Sequence, residues 1–219
     1  MSRSFVLVEA RALDDLQVFL SRAARIEDGS VRLIAGSGVL AVYAAVIYPV
    51  GLLDESPTVL GLRTFALREP VAFDVVVPIR SLEQRVERAL GEGADTVALP
   101  MEVGSVTWAA ISPPRGGWYG LDPTEASVLE AAARAGIRDI AEAVPDGVGE
   151  QIVRRVRAEV WGRPIPNVEH IPAGAGFAAF ALGFLSDDAV RVFETGPWTR
   201  LTTERGHVLV KRRAWTLAR

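Results

Sequence analysis

The sequence predicts an α+β fold: an antiparallel-sheet first half in the order β-α-β-β-β and then β-α-β-β, followed by a helical second half closed by a small antiparallel β-meander. Two observations predict the first half. Short runs rich in Val, Ile and Leu recur at 5–10, 31–35, 39–48, 59–67, 72–77, 95–99 and 103–111, and helical spacing of apolar residues interrupts them twice, at Leu13, Leu16, Leu20 and Ala24 and again at Leu82, Val86, Ala89 and Leu90. A third observation predicts the second half, where apolar residues repeat at helical spacing until three β-rich runs separated by glycine turns end the chain.

Within the first half, Gly36-Ser37-Gly38 joins two strands through a link suited to positive φ, which makes 31–48 a hairpin. Ser81 stands where a helix N-cap is wanted, with Gln84 three residues on, and Gly91 ends that helix. Ser112-Pro113-Pro114-Arg115-Gly116-Gly117-Trp118 then breaks all periodicity. A domain boundary is expected there: a first domain over 1–112, a linker over 113–121 and a second domain over 122–219.

The second domain is expected to begin with a helix at Asp122-Pro123-Thr124-Glu125, an acidic cap with Pro in the first turn, that stops at Gly136. Helices over 137–143 and 148–161 follow. A turn through Pro164, Pro166 and Pro172 leads to an all-round apolar, hence buried, helix over 175–185. Strands over 189–194, 198–203 and 207–212 turn at Thr195-Gly196-Pro197 and Glu204-Arg205-Gly206.

Composition narrows the classes of function. With 219 residues, 49% of them hydrophobic, the chain can bury a sizeable core. It has no Cys, which removes disulfides, thiol catalysis and thiolate metal sites together and suits a reducing, cytoplasmic setting. The N-terminus lacks the pattern of a signal peptide, and the longest apolar run, 173–185, is shorter than the ~20 residues of a membrane-spanning helix. No membrane is expected as a partner. Net charge is −3 and unevenly spread: 1–110 holds 10 basic and 14 acidic residues, 111–219 holds 14 and 13.

The stretch Phe73-Asp74-Val75-Val76-Val77-Pro78-Ile79-Arg80-Ser81-Leu82, a strand delivering a Pro and then a helix, resembles the strand-to-helix entry of bacterial DNA sliding-clamp domains. Ala94-Asp95-Thr96-Val97-Ala98-Leu99 resembles the strand that follows it. The resemblance covers about half of the chain and implies a clamp-like fold there. Ser112-Pro113-Pro114-Arg115-Gly116-Gly117-Trp118, Ala181-Leu182-Gly183-Phe184-Leu185 and Gly196-Pro197-Trp198-Thr199-Arg200-Leu201 look like a family of uncharacterised actinobacterial proteins that has no assigned activity. A clamp that threads DNA faces it with basic helices. Here the two corresponding helices carry Asp14, Asp15, Glu27, Asp28, Glu83, Glu87 and Glu92 against Arg22, Arg25, Arg85 and Arg88, which disfavours threading.

Each candidate for chemistry has a plainer reading. Ser37, with His170 or His207 as base, lacks the G-x-S-x-G spacing of a nucleophile elbow and sits in a hairpin turn. Neither His has a second His near it in sequence, and the pairs Glu27-Asp28, Asp54-Glu55 and Asp187-Asp188 fall in turns or at helix ends, so no metal is expected. Ala173-Gly174-Ala175-Gly176-Phe177 has neither the Lys of a P-loop nor the third glycine of a dinucleotide turn, and no cofactor is expected.

The remaining binding candidate is aromatic and cationic: Arg115, Trp118 and Tyr119 in the linker with Trp198, Arg200 and His207 in the final meander, the composition of binding hot spots. Its plainer reading is a linker Trp that plugs the junction of the two halves. The reading that follows is a non-enzymatic binding or assembly protein that self-associates or holds a protein partner. The alternatives are a small hydrolase or transferase using Trp118, Asp122 and His170, and a DNA-binding regulator acting through the basic segment 200–219, where Arg200, Arg205, Lys211, Arg212, Arg213 and Arg219 face one acid, Glu204.

Overall fold

A computed structural model describes residues 3–51, 54, 56–104, 106–144 and 149–211. Arg212, Arg213 and Arg219 of the predicted basic segment lie outside the described residues. The chain divides into two units, one of residues 1–45 and 62–111, the other of residues 46–61 and 112–219. Residues 46–61, which the sequence pattern places with the first half, belong to the second unit.

The first unit is organised by a hairpin. Strands β2 (Ser30–Gly36) and β3 (Val39–Ile47) pair antiparallel through a turn of only two residues, Ser37 and Gly38, both at positive φ (52° and 76°), the geometry that matches the twist of paired strands. Strand β4 (Thr58–Ala66) lies beyond β3, and β5 (Phe73–Pro78) pairs antiparallel with β2, giving the order β5-β2-β3-β4. Helices α1 (Ala10–Ile26) and α2 (Ile79–Glu92) pack on each other. Their apolar stripes, Leu16 and Leu20 of one and Leu82 and Val86 of the other, are fully buried, as are Val31, Leu33, Leu40 and Val42 of the sheet. A two-stranded sheet of β1 (Ser4–Val6) and β6 (Thr96–Ala98) ties the two predicted modules together.

Two expectations are corrected here. Helix α2 starts at Ile79, not at Ser81, because the N–H of Ile79 donates to the carbonyl of Gly29 at 3.0 Å and the extended Pro78 leads directly into the helix. The strand expected over 103–111 is a short 3-10 helix, Thr107–Ala110. Val103 donates one bond to the carbonyl of Val76, after which the chain turns so that Trp108 and Ala109 are buried.

Arg32 fastens that turn to the sheet. Its Nε and one terminal nitrogen donate to both carboxylate oxygens of Asp74 (2.7 and 2.6 Å), and the other donates to the carbonyl of Ala109 (2.6 Å). The bonded Asp74 carboxylate raises the Arg32 pKa above its ordinary value. Arg32→Met leaves a part-buried carbonyl unpaired and should lower the unfolding free energy by about 1–2 kcal/mol in urea melts.

In the second unit the sheet order is β4-β12-β11-β10-β7, with β7 (Tyr119–Thr124), β10 (Val190–Thr195), β11 (Trp198–Thr203) and β12 (Gly206–Lys211). The meander of β10, β11 and β12 is the predicted one. Three helices accompany it: α3 (Ala126–Ala143), α4 (Glu150–Gly162) and α5 (Ala173–Ala181), with a small hairpin of β8 (Pro164–Ile165) and β9 (Val168–Pro172) before α5.

Residues 122–124 do not open a helix. They end β7, an edge strand whose outer position tolerates Pro123, and the helix begins only after the extended Glu125. The last three residues of the expected linker, 119–121, are likewise strand. Gly136 does not stop α3; it sits mid-helix where a Cβ would lie 2.2 Å from the Trp161 ring, so glycine is required by packing.

Among the described residues, no helix is long and apolar enough to cross a membrane.

Candidate docking face of the second unit

Pairing register builds the site. In β10, β11 and β12 the partners Arg191↔Thr202↔His207, Phe193↔Arg200↔Leu209 and Thr195↔Trp198↔Lys211 form three successive rows, and because alternate residues share a side these nine side chains lie on one face of the sheet. Gly120 of β7 extends the middle row beside Phe193. The opposite face carries Val192, Leu201, Val208 and Val210, all buried on the side of the helical layer, where Phe184 just beyond α5 reaches the backbone of Gly206.

The loop before β7 folds onto the three-row face. Gly117 adopts a φ of 77°, with its α-carbon close to the Thr195 hydroxyl, and the Trp118 indole N–H donates to the Pro114 carbonyl at 3.1 Å, which fixes the ring. The Arg200 guanidinium then lies against two rings, 4.6 Å from the Trp118 centroid and 4.5 Å from that of Phe193. Desolvation lowers the Arg200 pKa from its ordinary value, and the like charge of Arg191 lowers it further. Arginine stays cationic regardless.

The six predicted residues separate accordingly. Trp118 and Arg200 meet directly, and Trp198 and His207 share their face, Trp198 buried and His207 bonded through Nδ1 to the Thr202 hydroxyl at 3.0 Å. Tyr119 lies on the other face, where its hydroxyl and that of Thr199 donate to the buried Glu194 carboxylate (3.2 and 3.1 Å). Arg115 stays exposed in the loop.

Sequence reasoning missed Phe193 and Arg191, which complete the stack and the charge. The alternation Val190-Arg191-Val192-Phe193 carries the signal, yet only the β10–β11 register assigns these side chains to Arg200.

Of the residues invoked for a hydrolase, Trp118 and Asp122 fall in the loop and on β7, and His170 on β9, where its Nε2 is buried with no partner among the described residues. Among those residues, no group of three or more His, Asp or Glu is placed to hold a metal.

This architecture defines a clamp-like α+β protein, and solved structures bear the class out over nearly the whole chain. The DNA polymerase sliding clamp from Caulobacter crescentus is 12% identical with a TM-score of 0.53, over 99% of this chain and 67% of that one. The DNA polymerase III subunit beta from Borrelia burgdorferi gives 9% and 0.55, over 98% and 66%, and the clamp from Bartonella birtlesii bound to griselimycin gives 14% and 0.51, over 98% and 66%. The chain thus spans about two thirds of the length of these clamps. The likeness, which the sequence suggested for the first half, takes in the second half as well.

By sequence, residues 1–110 match a domain of unknown function (DUF8010) and residues 113–215 a second (DUF8185), and the chain belongs to the DUF8010 family. No curated protein matches it.

Proposed function

We propose that this protein is a non-enzymatic binding or assembly protein, and that it associates with a second copy or a protein partner through the edge of the second unit's sheet. The observation that carries this reading is β7. It is the terminal strand of its sheet, paired along one side with β10, and Tyr119, Gly120, Asp122 and Pro123 are exposed. A six-residue edge strand offers main-chain donors and acceptors to an incoming strand, and alternate side chains supply specificity.

The clamp relatives support an assembly role by fold alone. Their connection to DNA polymerase carries over less readily, because α1 and α2 mix the two charges, Arg11, Arg22 and Arg25 with Asp14 and Asp15 and Arg80, Arg85 and Arg88 with Glu83, Glu87 and Glu92, where a DNA-facing surface calls for a clear basic excess. Arg80 of α2 is engaged by Asp28 and Glu83, and Asp15 of α1 by Arg63 of β4.

Size-exclusion chromatography with light scattering tests the reading. The expected result is a mass above the 23.6 kDa of one chain, reduced to that value by Gly120→Lys, which puts a charge on the edge strand at a position with room for a side chain. A strictly monomeric wild type that retains no partner in a pull-down would overturn it.

A further inference from the structure

We infer that Arg200 is the anchor of a carboxylate-recognition site, and that the accessible part of the three-row face around Arg191, Phe193 and Arg200 docks an acidic segment of a partner protein; this rests on the binding reading above and names the chemistry of what is bound. Two other arginines stack on rings, and each has its own carboxylate. Arg63 lies 5.6 Å from the Phe65 centroid and pairs with Asp15 at 2.9 Å; Arg134 lies 5.0 Å from that of Phe180 and pairs with Glu130 at 2.7 Å. Arg200 lies closer to its rings than either, against two of them, and pairs with no carboxylate among the described residues.

Its surroundings sharpen the contrast. Within the three rows the other charged side chains are Arg191 and Lys211, one row to either side and both cations, while on the edge strand Asp122, with Pro123, stands opposite Arg191 at the bulge. Asp122, two residues along the edge strand from Gly120, forms no ion pair with Arg191 or Arg200 among the described residues. The Arg200 Nε is buried without an acceptor. A rigid, partly desolvated cation with like-charged neighbours is the arrangement an anion completes.

The stack also selects the anion. With Trp118 and Phe193 packed against the guanidinium and Nε buried, the two terminal nitrogens remain for binding, and they match a planar carboxylate through two parallel N–H···O bonds. Half-buried Trp118 and Phe193 beside it give apolar contact to a peptide, whereas a nucleic-acid backbone would call for a longer line of cations than the row positions of Arg191, Arg200 and Lys211 supply.

The test is fluorescence anisotropy of a fluorescein-labelled Asp/Glu-rich octapeptide with one central Leu, titrated with the full chain at low salt. The same peptide with Asn and Gln in place of its acids is the control. The acidic peptide should bind and the amide peptide should not. Arg200→Gln should weaken binding about tenfold or more, and Arg200→Lys should do nearly the same although it keeps the charge, since lysine lacks the planar fork. Trp118→Leu, which removes one of the two rings without touching the cation, should weaken binding severalfold.

Equal binding of acidic and amide peptides, unchanged affinity in Arg200→Gln, no peptide binding at all, or competition by inorganic phosphate at concentrations below those of unlabelled peptide would each overturn the inference. Light scattering separates this from the assembly reading. An assembly that persists while the peptide is ignored defeats this inference alone, and an Arg200→Gln chain that becomes monomeric while wild type ignores the peptide makes a second copy the occupant and defeats it too. Peptide binding by a wild type that stays monomeric upholds the site and defeats self-association.

Discussion

Trp161→Ala should lower the unfolding free energy by about 3–5 kcal/mol, the cost of deleting a large buried aromatic whose surroundings can collapse only in part. Trp161 is 2% exposed and stacks on Phe177 with centroids 4.4 Å apart and planes 18° from parallel. Its ring lies against Gly136 of α3, and its backbone carbonyl and Cβ lie against Gly174 of α5, so one side chain on α4 meets both neighbouring helices.

That geometry makes a sharper test through Gly136→Ala. In the wild type the new Cβ would fall 2.2 Å from the ring, and the variant should be destabilised. In the Trp161→Ala background the obstruction is gone and the helix propensity of Ala over Gly, about 1 kcal/mol, should make the same change stabilising. Urea denaturation of the four chains measures the reversal of sign as a double-mutant cycle.

Gly176→Ala is expected to have the next largest effect, a loss of about 1–3 kcal/mol net of any propensity gain. Helices α3 and α5 cross closely enough here that a Cβ on residue 176 would sit 2.6 Å from the carbonyl oxygen of Leu129, a backbone atom that no rotamer change can move. The helices must separate, which loosens packing around the fully buried Leu129 and Ala175. Gly91→Ala provides the comparison: it is also helical, nothing lies within 4 Å of the point its new methyl would occupy, and it should stabilise by about 0.5–1 kcal/mol. Thermal melts of the two variants should therefore shift in opposite directions.

The contrast between those glycines marks where the sequence was legible. The Ser37-Gly38 turn acts through local conformation and follows from turn chemistry, whereas α2 does not end at Gly91 as expected but runs through it to Glu92, with Gly93 at positive φ (64°) as its cap. Gly136 acts through a ring 25 residues later in the chain, so its neighbourhood reads as a helix stop until Trp161 is placed against it. Asp122-Pro123-Thr124-Glu125 has the local chemistry of a helix start, but main-chain pairing with β10 overrides it. Residues 103–111 are β-rich, yet burial of Trp108 turns them away from the sheet.

The binding cluster divides in the same way. Trp and Arg in composition pointed to Trp118 and Arg200, whereas Phe193 and Arg191 required the register of two strands, and Tyr119 lies on the opposite face because adjacent strand residues alternate.

Amide hydrogen exchange across residues 119–124 tests the proposed assembly through β7 most directly. The outward main-chain amides of β7 should exchange quickly in the dilute chain and gain protection as concentration rises or a partner is added, while those of the interior strand β11 stay protected throughout. Unchanged exchange along β7 under conditions where association is independently observed would contradict the account.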